Sequence, residues 1–170
     1  MKANLRIPKK LVEAMLTDLR RPHPFAYERV GFLYCKESRL KDSGRLLLAF
    51  KYEPIEDTQY VEDRSVGARF DSSSVRAAMQ NVLSEVTSAL HVHLHDHYGR
   101  PRFSRVDSEH MQALMPCFVN VCPDRCHGAL VLSLDSMTGR VWSIDNPLGV
   151  PFARISVVGE RLQLFGNHNG

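Results

Sequence analysis

Four histidines alternate along one short segment of the chain, and their spacing could hold a metal ion. The segment runs from His91 to His97 with one residue between successive histidines, and Ser104 and Asp107 follow it. Alternate side chains project from the same side of a β-strand, so an extended segment would bring these imidazoles together. Two imidazoles and the Asp107 carboxylate would leave a fourth position open to water, as in catalytic zinc sites.

The spacing of Ser104 and Asp107 also fits a helix capping box. In this interpretation Ser104 is the N-cap and Asp107 occupies the third helical position. Both side chains would then point back toward the strand end at which the histidines emerge. We therefore predict a helix from Ser104 to about Leu114, and the capping role is compatible with a role at a metal.

A carboxylate outside the His-rich segment is the candidate general base. A metal-bound water needs a group that accepts its proton and lies near the metal without binding it. Glu28 stands near the start of an otherwise apolar segment, Tyr27 to Cys35, which we predict to be a strand. A central strand would not normally open on a charge, although a strand end in solvent also explains Glu28.

Length and composition predict one globular domain over residues 1–170. The hydrophobic content of 44% and the charged content of 24% are ordinary for such a domain. A net charge of +3, spread along the chain, does not predict nucleic-acid binding, and no apolar run approaches a membrane span. The absence of a signal-peptide pattern and the presence of four cysteines predict a cytoplasmic protein with reduced thiols.

Apolar spacing predicts the elements that must position these side chains. Helices are predicted over residues 10–20 and from 72 up to the His-rich strand, and the segments 27–35 and 45–52 are predicted to form a hairpin. Four more strands are predicted, at 118–121, 129–134, 140–144 and 155–164. Because helices and strands mix without regular βαβ alternation, the fold class is α+β with a central mixed sheet flanked by helices.

Taken together, these residues resemble the JAMM motif of the JAB/MPN metalloprotease family. The matching positions, in chain order, are Glu28, Gly31, Leu33, His93, His95, Pro101, Ser104 and Asp107. The likeness spans roughly residues 5–145, and its later strands resemble those of bacterial members encoded beside ubiquitin-activating-type enzymes. The resemblance implies a single JAB/MPN-like domain with the cytidine-deaminase-like fold.

The resemblance also implies roles for individual residues. His93, His95 and Asp107 would bind one zinc ion per chain. Glu28 would deprotonate the zinc-bound water and pass the proton to the leaving amine, while Ser104 would help to stabilise the oxyanion.

The activity implied by this family is hydrolysis by a zinc metallo-isopeptidase. Family members cut peptide or isopeptide bonds after the C-terminal glycine of ubiquitin or ubiquitin-like proteins, some of them in antiphage operons. The implied partners are a ubiquitin-like protein and its conjugates, with E1-like and E2-like enzymes of the same pathway. The alternative is a non-catalytic MPN-like scaffold. Inactive members generally lose metal ligands, and the full set is present here.

The sequence departs from the family pattern at two points. Eight residues separate His95 from Ser104, one more than is usual, and Asp96 replaces the common proline after the second histidine. His91 and His93 are therefore an alternative pair, although that choice lengthens the gap by two more residues. With His93 and His95 as ligands, Asp96 or His97 is expected to support the site or to contact substrate.

Two other metal sites compete with this interpretation. Cys117, Cys122, Cys126 and His127 could form a zinc knuckle, but they lack the usual paired Cys-x2-Cys spacing. The segment from His91 to His97 is also one residue too long for the His-x-His-x-Asp-His motif of binuclear metallo-β-lactamase-type hydrolases.

Within the JAB/MPN interpretation, the segments 53–70 and 99–103 are predicted to form the walls of the groove that holds the glycine tail of the substrate. This tail could add to a strand edge by main-chain hydrogen bonds.

Overall fold

The computed structural model describes residues 1–22, 24, 26–41, 44–63, 65–159 and 163–165, without the side chains of 163 and 164. Within these ranges three α-helices accompany one mixed β-sheet. None of these helices is long and apolar enough to cross a lipid bilayer. The elements are β1 Ala3–Pro8, α1 Lys9–Leu19, β2 Val30–Arg39, β3 Arg45–Pro54, α2 Ser72–Glu85, β4 Ser88–Leu94, α3 Arg105–Val121, β5 His127–Leu132, β6 Met137–Ser143, β7 Asn146–Pro151, β8 Arg154–Val158 and β9 Gln163–Phe165.

The sheet places the His-rich strand at its centre. The nine described strands lie in the order β7-β6-β5-β4-β2-β3-β1-β8-β9. Strand β4 pairs antiparallel with β2 and parallel with β5, and all of its residues are buried. The combination of parallel and antiparallel pairs confirms the predicted α+β class with a mixed sheet.

Each face of the sheet has its own hydrophobic core. On one face, Met15 and Leu19 of α1 pack with the even-numbered β4 residues Leu90, Val92 and Leu94. On the other face, the helices α2 and α3 pack against residues that include Ala89 of β4. Since side chains alternate along a strand, His91 and His93 project to this second face, beneath α3.

Several predicted elements are confirmed, and the boundaries of others are wrong. The hairpin is present as β2 and β3, and α1 covers almost the whole predicted helix. Helix α2 ends earlier than predicted because Val86 adopts the left-handed conformation, with φ of 50°, and terminates it. The predicted strand at 118–121 is wrong, because this segment is the last turn of α3.

The extension of α3 has a packing cause. Met111, Met115 and Phe118 recur at helical spacing and are buried against the sheet. Pro116 lies inside the helix and removes one backbone donor. Burial of the neighbouring apolar residues therefore outweighs the local preference for a helix end at the proline.

His127, at the start of β5, is held as a neutral imidazole by the fold. Its ring is fully buried and lies 5.7 Å from the ring of Phe118. Its Nδ1 accepts a hydrogen bond from the Ala89 N–H at 3.2 Å, and Nε2 lies 3.3 Å from the Cys122 carbonyl oxygen, to which it can donate. Burial lowers the pKa of His127 to about 4.

We expect His127 to make the folded protein sensitive to acid. Below pH 6.5, its ordinary pKa, the His127 imidazole of the unfolded chain binds a proton. In the folded state the same imidazole binds a proton only below about pH 4. The stabilisation is therefore complete above pH 6.5 and falls by about 3 kcal/mol on acidification to pH 4. Urea unfolding at pH 7 and pH 5 should show a larger loss for the wild type than for His127→Phe. Equal losses in the two proteins would contradict this assignment.

Candidate metal centre

The fold brings the predicted site residues together at the end of β4. His93 of β4 lies opposite Val30 of β2, so Glu28, two residues before Val30, reaches the same end of the sheet. His95 follows β4 directly, and its backbone N–H donates to the Leu132 carbonyl of β5 at 2.9 Å. Asp107 approaches from above, in the first turn of α3.

The distances among the donor atoms fit a single tetrahedral metal ion. His93 Nε2 lies 3.2 Å from His95 Nε2 and 3.4 Å from Asp107 Oδ1. His95 Nε2 lies 3.6 Å from Asp107 Oδ2. Ligands bound at about 2.0–2.1 Å to a tetrahedral ion are about 3.3 Å apart. The three side chains therefore lie close enough together to hold one metal ion.

Glu28 lies slightly farther out than this set. Its Oε1 is 3.9 Å from His95 Nε2, and donor atoms of Glu28, His93 and His95 all fall within 4.8 Å of one another. Its side chain is 30% exposed, compared with 3% for His93. The longer spacing and the greater exposure favour a carboxylate that exchanges protons with water over a fourth protein ligand.

Ser104 and Asp107 form the predicted capping box. The Ser104 N–H donates to Asp107 Oδ2 at 2.7 Å, and the Asp107 N–H donates to Ser104 Oγ at 3.1 Å. A hydroxyl that accepts a hydrogen bond can still donate its own proton. Asp107 thus fixes the start of α3 with one carboxylate oxygen while the other faces His93, and Ser104 remains able to donate.

The electrostatics of the site favour the protonation states that metal ligands need. Burial alone would raise the pKa of Asp107, but hydrogen bonds from His93 and Ser104 outweigh it and hold the pKa well below its ordinary value. Burial, followed by the neighbouring His93, lowers the pKa of His95. Near neutral pH the site therefore presents a carboxylate beside neutral imidazole, as metal binding requires.

The other two histidines of the segment lie outside this donor group. His97 is exposed beyond the strand end, and its Nδ1 lies 2.8 Å from the Tyr98 carbonyl oxygen. His91 is buried on the same face of β4 as His93, between the rings of Phe32 and Phe70. Burial also lowers the pKa of His91 well below its ordinary value. The alternation thus brings His93 and His95 together, whereas His97 lies outside the site because β4 ends at Leu94.

A glycine that the sequence did not single out holds Glu28 in place. The Gly67 carbonyl accepts hydrogen bonds from the N–H groups of both Tyr27 and Glu28, each at 2.9 Å. A Cβ atom at Gly67 would lie 2.6 Å from Glu28 Oε2, closer than real contacts allow. The long loop at 53–70 therefore supports the candidate base directly. In the sequence, the signal for this supporting role is that a glycine stands within a long acidic loop.

Clefts open on two sides of Glu28. A groove of about 610 Å³ runs between the loop and α3, and it shares Val66, Phe70 and Val106 with a small cavity that Glu28 lines. A second cleft, of about 480 Å³, lies on the other side of Glu28 and includes Asp96. Of the segment 53–70, residues 63, 66 and 68–70 line the groove. In the segment 99–103, the Gly99 carbonyl accepts a hydrogen bond from Ser133 Oγ, and the Phe103 ring lies 6.5 Å from the His93 ring.

The alternative cysteine site is not formed. Cys117 is exposed on α3, whereas Cys122 and Cys126 are buried, and all are free thiols. Both ring nitrogens of His127 lie at backbone partners. Among the described residues, the group of donor atoms that meets within 4.8 Å comes from Glu28, His93 and His95, and no cysteine belongs to it.

Comparisons with known proteins do not place the chain in a family. No protein-family model matches it, and no curated protein matches it at a significant level. Among solved structures, the chain is similar to the N-terminal domain of STIL from Trichoplax adhaerens, with a TM-score of 0.36 and 10% sequence identity. That match covers 78% of this chain and 38% of the STIL chain.

Proposed function

We propose that the protein is a zinc-dependent isopeptidase or peptidase of the JAB/MPN type. Its substrate would be a ubiquitin-like protein, cleaved after the C-terminal glycine. The observation that carries the proposal is the convergence of His93, His95 and Asp107 at 3.2–3.6 Å, with Glu28 beside them. These residues come from distant parts of the chain and match the JAMM motif in type and order.

The donor set suits zinc, with two imidazoles and one carboxylate. When bound, zinc would supply Lewis acidity toward a carbonyl oxygen and toward water. His93, His95 and Asp107 would hold the ion and leave one position open. Asp107 is oriented by the capping box, so part of the ligand set is organised by the helix itself.

Glu28 and Ser104 would handle the protons and the developing charge. The partly exposed carboxylate of Glu28 accepts a proton from the attacking water and returns it to the leaving amine. The Ser104 hydroxyl, anchored by its bond from the Asp107 N–H, donates to the oxygen on which negative charge develops. The Ser104 hydroxyl is thus oriented by a backbone hydrogen bond before substrate arrives, and the backbone of Glu28 is fixed by its bond to the Gly67 carbonyl.

The two clefts beside Glu28 support a substrate that passes through the site as an extended chain. The groove along the loop and α3 has apolar walls that include Val66, Phe70 and Val106. The cleft on the other side is lined by polar residues, Asp96 among them. We assign the glycine tail of the ubiquitin-like protein to the groove and the leaving group to the cleft. E1-like and E2-like enzymes would supply such conjugates.

Metal content and cleavage together test the proposal. The purified protein should contain about one zinc per chain by elemental analysis. It should release the extension from a ubiquitin-like protein that continues beyond its terminal glycine, or the amine from an isopeptide conjugate. A chelator should stop the release, and added zinc should restore it. A protein that binds partners without zinc-dependent cleavage would instead be the non-catalytic scaffold.

We expect Gly67→Ala to lower activity without removing the metal. The added Cβ would collide with the Glu28 carboxylate, so either the loop or the carboxylate must move. Misplacement of a catalytic group by about 1 Å can cost roughly 100-fold in rate. Measured kcat/KM should fall by about 10- to 100-fold while zinc content stays at the wild-type level. In a Glu28→Gln background the same change should cost little more, and a further full loss there would contradict the explanation.

A further inference from the structure

His91 is a buried histidine whose ring nitrogens have no protein partner. Its side chain is 4% exposed, and neither Nδ1 nor Nε2 hydrogen-bonds to any described residue. A buried polar atom left in this way costs free energy, so native proteins rarely keep one without a reason. Aromatic packing between Phe32 and Phe70 would be served better by phenylalanine. The choice of histidine therefore points to a polar group that the protein chain itself does not supply.

His93 also has a buried ring nitrogen without a hydrogen-bond partner. Its Nε2 faces His95 and Asp107, whereas its Nδ1 is buried and without a partner among the described residues. A histidine that binds metal through one nitrogen normally donates a hydrogen bond from the other, which fixes the ring and raises its basicity. His93 Nδ1–H thus needs an acceptor on the side of the ring that faces away from the metal.

A small cavity connects the two histidines. It measures about 40 Å³ and is lined by His91 and His93, with Glu28, Asp107 and His110 also at its wall. The His91 and His93 ring centroids lie 5.7 Å apart, with the planes tilted by 55°, and the rings make no direct hydrogen bond. A cavity of this size admits one ordered water, which needs polar partners such as these imidazoles.

We propose that His91 is a positioning residue for the metal ligand His93 and acts through one bridging water. The water accepts a hydrogen bond from His93 Nδ1–H and donates one to a ring nitrogen of His91. This arrangement satisfies His93 Nδ1 and one of the two His91 nitrogens, and it fixes the tautomer of His93. The inference rests on the zinc centre proposed above and adds a residue that lies outside the ligand set.

A second metal ion at His91 is the competing explanation. The donor atoms of Glu28, His93 and His95 meet within 4.8 Å of one another, and neither His91 nor His110 belongs to that group of described residues. The His91 ring lies 5.8 Å from that of His110, centroid to centroid. The geometry therefore favours a water over a second ion.

Zinc affinity of the whole protein tests the role of His91. His91→Phe should bind zinc about 10- to 100-fold more weakly in competition with a chromophoric chelator. His91→Gln, which retains an acceptor, should recover most of the loss. The visible absorption spectrum of the cobalt-substituted protein should shift in His91→Phe because the hydrogen bond to the ligand is lost. Melting of the metal-free His91→Phe protein should occur at or above the wild-type temperature.

His127→Phe is the matched control, since it also replaces a buried histidine by phenylalanine on the neighbouring strand. It should lower the melting temperature, because His127 bonds to the backbone, and leave zinc affinity unchanged. If His91→Phe does not fold, His91→Leu takes its place. Equal zinc affinity in the wild type and His91→Phe would overturn this inference but not the proposed function. The same holds if the wild type binds two zinc ions per chain and His91→Phe binds one. A wild type without zinc would overturn both this inference and the proposed function.

Discussion

Glu28→Gln should nearly abolish hydrolysis while leaving the zinc content unchanged. The amide cannot accept a proton from water, and general-base groups typically contribute about 10²- to 10⁴-fold to the rate. The substitution preserves the size of the side chain, so the contact with Gly67 and the hydrogen bonds to its carbonyl can persist. Cleavage of a ubiquitin-like fusion and elemental analysis, made on the same preparation, measure both quantities.

The control for this prediction is Glu13→Gln. Glu13 is a surface residue of α1 with 59% of its side chain exposed, and its partner is Lys9, one helical turn away. The same chemical change there should leave cleavage at the wild-type rate. Full cleavage by Glu28→Gln would show that another group accepts the proton, or that hydrolysis occurs elsewhere on the protein.

Substitution of the ligands should have an equally large effect, through loss of the metal. His95→Ala removes a neutral imidazole, and Asp107→Asn removes the carboxylate charge at nearly constant volume. Loss of one of three protein ligands should reduce bound zinc from about one per chain to a small fraction after dialysis, and cleavage should disappear with it. Elemental analysis of the dialysed variants measures this directly.

Comparison of two substitutions at Asp107 separates metal binding from helix capping. Asp107→Ala removes the acceptor for the Ser104 N–H as well, so the metal-free protein should lose about 1 kcal/mol of stability. Asp107→Asn keeps an acceptor and should lose less. His97→Ala serves as the control, and loss of zinc in this variant would mean that the ligand pair has been assigned in the wrong register.

The sequence predicted the capping box and the hairpin better than it predicted the other strands of the sheet. Spacing of residue types suffices to place Ser104 and Asp107 in a capping box, and the strand pairing of Val30 with His93 then brings Glu28 alongside. Local pattern failed at Pro116, where burial of neighbouring methionines carries the helix onward. It also missed β1, although Ala3, Leu5 and Ile7 alternate with more exposed residues. It missed β7 because this strand contains two prolines and a glycine, which strands rarely contain.

The features that remained hidden from the sequence depend on contacts between distant segments. Gly67 supports Glu28 across 39 residues of chain, a relationship that no local pattern encodes. His91 looks like one more member of an alternating series until its burial between Phe32 and Phe70 is known. Such residues become visible only when the tertiary structure shows what each side chain touches.

Asp107 caps α3 and is also a proposed metal ligand, so a substitution there should affect the protein more than a substitution of Glu28. In the proposed enzyme, loss of the Glu28 carboxylate would have little structural cost, since this side chain is partly exposed. Loss of Asp107 would remove the metal and would also loosen the start of α3. Substitution of Glu28 would therefore leave the stability of the fold nearly unchanged, whereas substitution of Asp107 would lower stability together with metal affinity.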